Sequence, residues 1–589
     1  MMAKPYYFPP GNNLKEALVV DLAILWRRSR RDSTVARRAV APVMESLEAR
    51  QLLSATLVQP IPNQVLQQDT PTAIDLSNNF TDPQFFFPTL TYKATSDNLK
   101  LLTTSINGSQ LTLAPVAGQS GIAHVAVVVT GTFGGIVVDD VRVEIKPTAA
   151  RSLDVSLGAG QGSSVGFRQA DHTHGTISYS GPGSAIVHFS GDNLHLSNSG
   201  GRHVGGQNIV VMGIDVTGST NASSITVRGQ ITRKGVTRIG DITSDGGFNM
   251  LRFRRTQIVG DLTAPGGVHH IRIDYAQVGT MTLGALPAGQ LTDVRNFSWA
   301  DESLSNASPI SLIRSFGWGN SDNVSETLTA PYINRLISRG SMTPGLQLSG
   351  VGAPNNVALR NFRVRGSIGG AWSAAATANI HSLNVRGIES DFNATFASPL
   401  RSINDNGSLG GSITAPSIGS IHVRGSMNQA SLDLTAAGQD LGSLSVGGSI
   451  FNSLIFAAGN IGSITARNLD TSDVLAGIGN LGNGQTIPNA LTDLSASSFV
   501  ASATIGSISL HPGAKQLGLS NAIVAAAHIQ NVSAGSLRSS NGGSAFGLAA
   551  HSVGQFSAFD FTSKHKLTYS QIATPSQSVA VGDFQILIV

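Results

Sequence analysis

No cysteine occurs in the 589 residues. Disulfides, thiolate nucleophiles and cysteine-ligated metal sites are therefore excluded. Charge is scarce: Asp, Glu, Lys and Arg make up 13% of the chain, against roughly 25% in ordinary soluble domains. Aromatic residues account for only 6%. Long apolar runs are missing too. The run at 17–26, ALVVDLAILW, carries Asp21 and falls short of the ~20 residues that cross a bilayer. No integral membrane span is expected. Walker loops and an HExxH helix are absent, so nucleotide cradling and zinc-protease chemistry have no foothold.

What the chain has instead is glycine, 66 residues of it. This suits many short strands joined by tight turns. The net charge of +4 sits in one place. Residues 1–57 hold nine Lys/Arg and five Asp/Glu, a balance of +4, and the rest holds 30 of each sign. A chain whose body sums to zero gives no overall reason to condense on phosphates, and no nucleic-acid partner is expected.

The basic stretch RRSRRDSTVARR follows the first apolar run, the reverse of a standard signal peptide. Composition alone describes residues 1–57 as a disordered basic segment. Within it, ESLEARQLLSA resembles the LEPR-XLL tag of large exported and surface proteins of planctomycete bacteria. Leu47, Glu48, Arg50, Leu52, Leu53 and Ser54 match that tag, and Ala49 stands where it has proline. The resemblance implies export, with processing near Ser54–Ala55.

Residues 58–147 alternate with period two in LTYKA, QLTLAP, AHVAVVV and VRVEI, with turn signals between them. About seven short strands in such a segment imply an Ig-like β-sandwich. The pieces PIPNQ, FTDP, SINGSQLTLAP and AGQSGIAHVAV resemble the dystroglycan-type cadherin-like domain. That family often carries an Asp-Pro-Asp-Gly-Asp loop with calcium. Here Asp82 and Pro83 are followed by Gln84, Phe85, Phe86, Phe87 and Pro88. Calcium wants six to eight oxygens. Asp82, Asp139 and Asp140 are the calcium candidates, and no cofactor is expected. The phenylalanines fit either a lid over the sandwich core or an exposed contact loop.

From 148 to 589 one phrase recurs: SIGSIHVRGSM at 417–427, DLGSLSVGGSI at 440–450, NIGSITARNLD at 460–470. The residue after the first apolar position falls at Asn334, Arg360, His381, Arg401, Gly419, Gly442, Gly462, Gly482, Gly506, Gln530 and Gly554. The steps of 18–26 residues mark a solenoid. Ile421 and Val423 are two apart, so they share one strand face. The expected fold is all-β, a sandwich followed by a parallel β-helix of about 20 coils, each adding ~4.8 Å. A leucine-rich repeat fits the apolar spacing less well, because the second half of each unit is too rich in Gly and Ser for a helix. GPGSAIVHFSG and IVVMGIDVTGSTNASSITV resemble Gly-rich β-helix regions of planctomycete surface proteins, which implies an extracellular, structural role.

Candidate chemistry is thin. LRFRR (251–255) and IRIDY (271–275) lie one coil apart. This places Arg252 near Arg272 and Arg254 near Asp274, facing outward: either a groove for an acidic glycan or a solvated face with one ion pair. His172 and His174 have a spacing that can share a metal, with no acidic residue firmly placed beside them. Arg365 and Arg386, each before a corner glycine, are expected to stack. The reading is an exported surface or matrix protein without catalysis. Its partners are further copies, other surface proteins or extracellular polysaccharide. The alternative is a β-helical lyase or hydrolase of an acidic glycan. An autotransported passenger is disfavoured, since no barrel-sized strand set precedes the ending VGDFQILIV.

Overall fold

The computed structural model describes residues 55–589 apart from 83–89, 132–134, 148–150, 159, 199–200, 234, 297–299, 320–325, 375–378, 480 and 482–486. The motif residues Leu47 to Ser54 and the phenylalanines Phe85 to Phe87 lie outside them. The described residues are strands joined by turns and a few single 3-10 turns, with no α-helix.

Seven strands build two facing sheets at the start of the described residues. Gln64–Gln67, Ile136–Lys146, Gly121–Thr130 and Thr91–Ser96 form one sheet, and Thr72–Asp75, Gln110–Pro115 and Leu102–Asn107 the other. Their inward residues share one core, with Val125, Val127, Val129, Val141 and Val143 from the first sheet and Leu102, Leu111 and Leu113 from the second. This is a β-sandwich, and it starts earlier than residue 58. Ala55 is buried in its core and Leu57 packs against it, while Thr56–Leu57 pairs with Phe80–Thr81.

The parallel coils begin later than residue 148. The strands from Ser152–Gly158 to Ser224–Arg228 pair largely antiparallel, with one short parallel pairing of Ser164–Gln169 on His203–Thr217. The continuous parallel ladder starts where His203–Thr217 meets Thr237–Ser244 and Ser224–Arg228 meets Phe248–Ile258. An open parallel edge would invite pairing with other chains, and antiparallel hairpins cover it. The far end is closed the same way: His565–Ile572 returns antiparallel on Ser552–Asp560.

Between these ends the solenoid makes fewer turns than the 20 expected. One reason is the antiparallel opening. Another is a long excursion: the ladder passes from Ile461 directly to Ile505, and the marker Gly482 between them lies outside the described residues. Leu491, Leu494 and Phe499 of that excursion form a satellite core with Leu475 and Ile523. Every other marker from Asn334 to Gly554 falls into register, Leu400 stacking with Ile418, Leu441, Ile461, Ile505, Ile529 and Val553 on successive strands.

The central core is a column of such stacks. One runs unbroken from Ile242 through Leu262, Met281, Leu304, Leu328, Leu346 and Trp372. It continues through Ala394, Ile413, Leu432, Ile455 and Val474 to Val524, Leu548 and Ile586. Each residue is at most 4% exposed. Burying such a side chain contributes about 1.5–3 kcal/mol, and each turn also completes the backbone hydrogen bonds of the one before. The phrase repeats because every turn solves the same packing problem.

An arginine column as the candidate functional site

Alternation along the strands fixes which side chains leave the core. In Phe248–Ile258, Leu251 and Phe253 are buried, so Arg252 and Arg254 point outward. In the next turn Ile271 and Ile273 are buried, with Arg272 between them. The register places Arg252 directly opposite Arg272, as the sequence suggested.

The stack does not stop there. Arg272 pairs in register with Arg295, and Arg295 with Arg314. Four consecutive turns therefore present one arginine each at the same place. The following turn puts Ile337 in line, and the next Arg363. Arg254 lies two residues further along its strand, opposite Arg228. Arg335 stands two residues before Ile337. Arg254, Arg314, Arg335 and Arg363 are exposed, and Arg252, Arg272 and Arg295 half-buried.

The acidic residues of this face are engaged. Asp274 does not pair with Arg254 as expected; its Oδ2 accepts the backbone N–H of Arg255 at 2.9 Å. A kink in the register after Phe253 displaces Arg254 from it. Asp293 is held in a fork by Arg295, with Nε 3.1 Å from Oδ1 and Nη2 2.9 Å from Oδ2. These hydrogen bonds and the carboxylate charge raise the pKa of Arg295. Arg252, Arg272 and Arg314 have no acidic partner among the described residues.

The balanced charge of the body thus hides a segregation. Net charge is a sum, whereas stacking sorts residues by their place in the repeat. Arginines collect on this open face. Asp241 and Asp261 face the sandwich, where both meet Arg142.

The other candidates are scattered. Asp139 and Asp140 are successive on one strand and face opposite ways. Asp139 Oδ2 accepts the N–H of Ile61 at 2.6 Å, and Asp140 contacts His124 Nδ1 at 2.7 Å. Asp82 is buried. No group of three His, Asp or Glu residues among those described is placed to hold a metal. His172 adopts a left-handed φ of 66° in a turn and meets Arg168 at 3.0 Å, which takes it out of line with His174. Arg365 and Arg386 both lie exposed at turn corners. One arrangement escaped the sequence reading: His188 bridges Asp154 at 2.8 Å and Asp215 at 3.0 Å across three strands.

No family model matches the chain, nor does any curated protein or solved structure.

Proposed function

We propose that this is an exported surface or matrix protein of the planctomycete type, without catalytic activity, whose arginine column holds acidic polysaccharide. The carrying observation is the register of Arg252, Arg272, Arg295 and Arg314 on four consecutive turns, three of them with no counter-ion among the described residues. Export rests on the resemblance at 45–55, and a cadherin-like assignment of the sandwich on the pieces quoted from 58–147. The ladder adds weak contacts through repetition, which is how an array gains avidity. Glycoside hydrolysis uses two carboxylates flanking the bond, and Asp274 and Asp293, the two described on this face, are already bonded to the chain itself, which favours holding over cutting.

The test incubates the full chain with insoluble neutral and acidic polysaccharides. Retention and release of reducing or unsaturated ends are both measured. The expected result is retention on acidic polymers alone, weakened by salt, with no product. Product release abolished by Arg272→Ala would establish the lyase or hydrolase alternative instead.

A further inference from the structure

We propose that the arginine column is a register-matched site for a polyuronate chain, lying along the solenoid axis with its carboxylates at Arg252, Arg272 and Arg314. This rests on the acidic-polysaccharide reading above and names the polymer. The spacing between arginines is not adjustable. It is set by the backbone ladder that joins Arg252, Arg272, Arg295 and Arg314, at ~4.8 Å per turn. A polyuronate carries one carboxylate on each sugar, so an extended chain laid along the column brings a row of carboxylates to a row of guanidiniums. The guanidinium fork matches a planar carboxylate. Arg295 already holds one in this way, gripping both oxygens of Asp293. The column therefore contains a worked copy of the contact that a ligand would make at the other three positions.

Other polyanions fit less well. Phosphates of a DNA strand recur every ~3.4 Å along the axis and turn around it, so they fall out of step with a straight column. Single strands bind through aromatic platforms. The outward residues flanking the column on one side are Met250, His270, Asp293 and Leu312, which offer no run of aromatic rings. Like charges stacked directly opposite one another destabilise a sheet. A bound polyuronate removes that repulsion and raises the melting temperature by mass action.

The experiment titrates the full chain with unesterified oligogalacturonates from two to ten sugars, their methyl esters, heparin and duplex DNA. The expected affinity climbs with length and levels off at about four sugars, once the four turns of the column are covered. Methyl esters do not bind. Arg272→Gln and the exposed Arg314→Gln each weaken binding about tenfold. Arg272→Lys keeps the charge and recovers only part of the loss. Arg401→Gln, outside the column, leaves binding unchanged. Heparin or DNA binding as tightly as the uronate, with no plateau in length, would overturn the register match while leaving acidic-polymer binding in place. No binding of any polyanion would sink both.

Discussion

The carbonyl oxygen of Gly419 lies 2.2 Å from the place that a Cβ on Gly442 would occupy, and the carbonyl of Gly442 stands at the same distance from a Cβ on Gly462. Backbone comes this close only where no side chain intervenes, which explains the glycine of the repeated Gly-Ser phrase. Gly442→Ala must push one turn away from the next. The expected loss is about 1–3 kcal/mol, read from the denaturation midpoint. Gly479 has open space around the same position, and Gly479→Ala serves as the control, shifting stability by about 0.5 kcal/mol or less. Equal effects at the two sites would mean that backbone freedom, not crowding, sets the preference.

Asp405 is buried, with Oδ1 accepting the N–H of Gly407 at 2.7 Å. Burial pushes its pKa up to about 6, helped by the charge of Glu389 and opposed by N–H groups of Gly407 and Ile388. The unfolded value is ~3.9. The folded chain therefore holds the proton more tightly, and the stabilisation is complete below pH ~4 and lost as pH rises through about 6. Asp405→Asn removes the titration. At pH 7.5 the variant should exceed the parent by about 1–3 kcal/mol, and the gap should close at pH 4. A gap that is the same at both pH values would show that the carboxylate is not what titrates.

Much of this architecture is legible in the residues, and the reasons are specific. Ile421 and Leu444 announce their stacking because the Gly-Ser before each repeats, and Arg252 and Arg272 because each sits between two apolar residues in adjacent phrases. Arg295 and Arg314 escaped notice for the opposite reason. Their strands, TDVRN and ISLIRS, lack the Gly-Ser punctuation, and their steps of 23 and 19 residues differ. A search for apolar-Arg at the repeat spacing would have found them. The antiparallel opening could not be read, because Phe189 and Val211 pair through a bulged register that alternation alone does not reveal.

Arg142 joins the sandwich to the solenoid. It bonds Asp241, lies 3.6 Å from Glu144 of its own strand and 3.8 Å from Asp261 one turn on. Its side chain is only 11% exposed. Arg142→Met fills much of the same space but leaves three carboxylates near one another without a cation. The aspartates are partly solvated, so the expected loss is about 1–2 kcal/mol, below that of a fully buried pair. Hydrogen exchange should quicken in Thr237–Ser244 and Ile136–Lys146 and stay unchanged in Met427–Leu434, many turns away. Quickening spread evenly over the solenoid would contradict a local joint.

Asp560 closes the other end, and its pH dependence has the opposite sign to that of Asp405. Burial pushes its pKa up, but hydrogen bonds from Ser563, Ser539 and Thr562 outweigh burial and hold it well below the usual carboxylate range. The carboxylate accepts the N–H of Ser539 at 3.0 Å and its hydroxyl at 2.8 Å, and the N–H groups of Thr562 and Ser563 at 3.0 Å each. The stabilisation is present above pH ~4 and lost as pH falls through the folded value. These bonds fix the turn that brings His565–Ile572 back over the last parallel strand. Asp560→Asn offers an amide nitrogen where donors already point, and should cost about 2 kcal/mol at pH 7. Exchange protection should fall first in Ser552–Asp560 and His565–Ile572. Once that return strand lifts, the edge below it carries unpaired N–H and C=O groups and becomes a template for a second chain. Light scattering should then show concentration-dependent association in the variant and not in the parent. If exchange quickens without association, the return strand holds the turn but does not guard the edge.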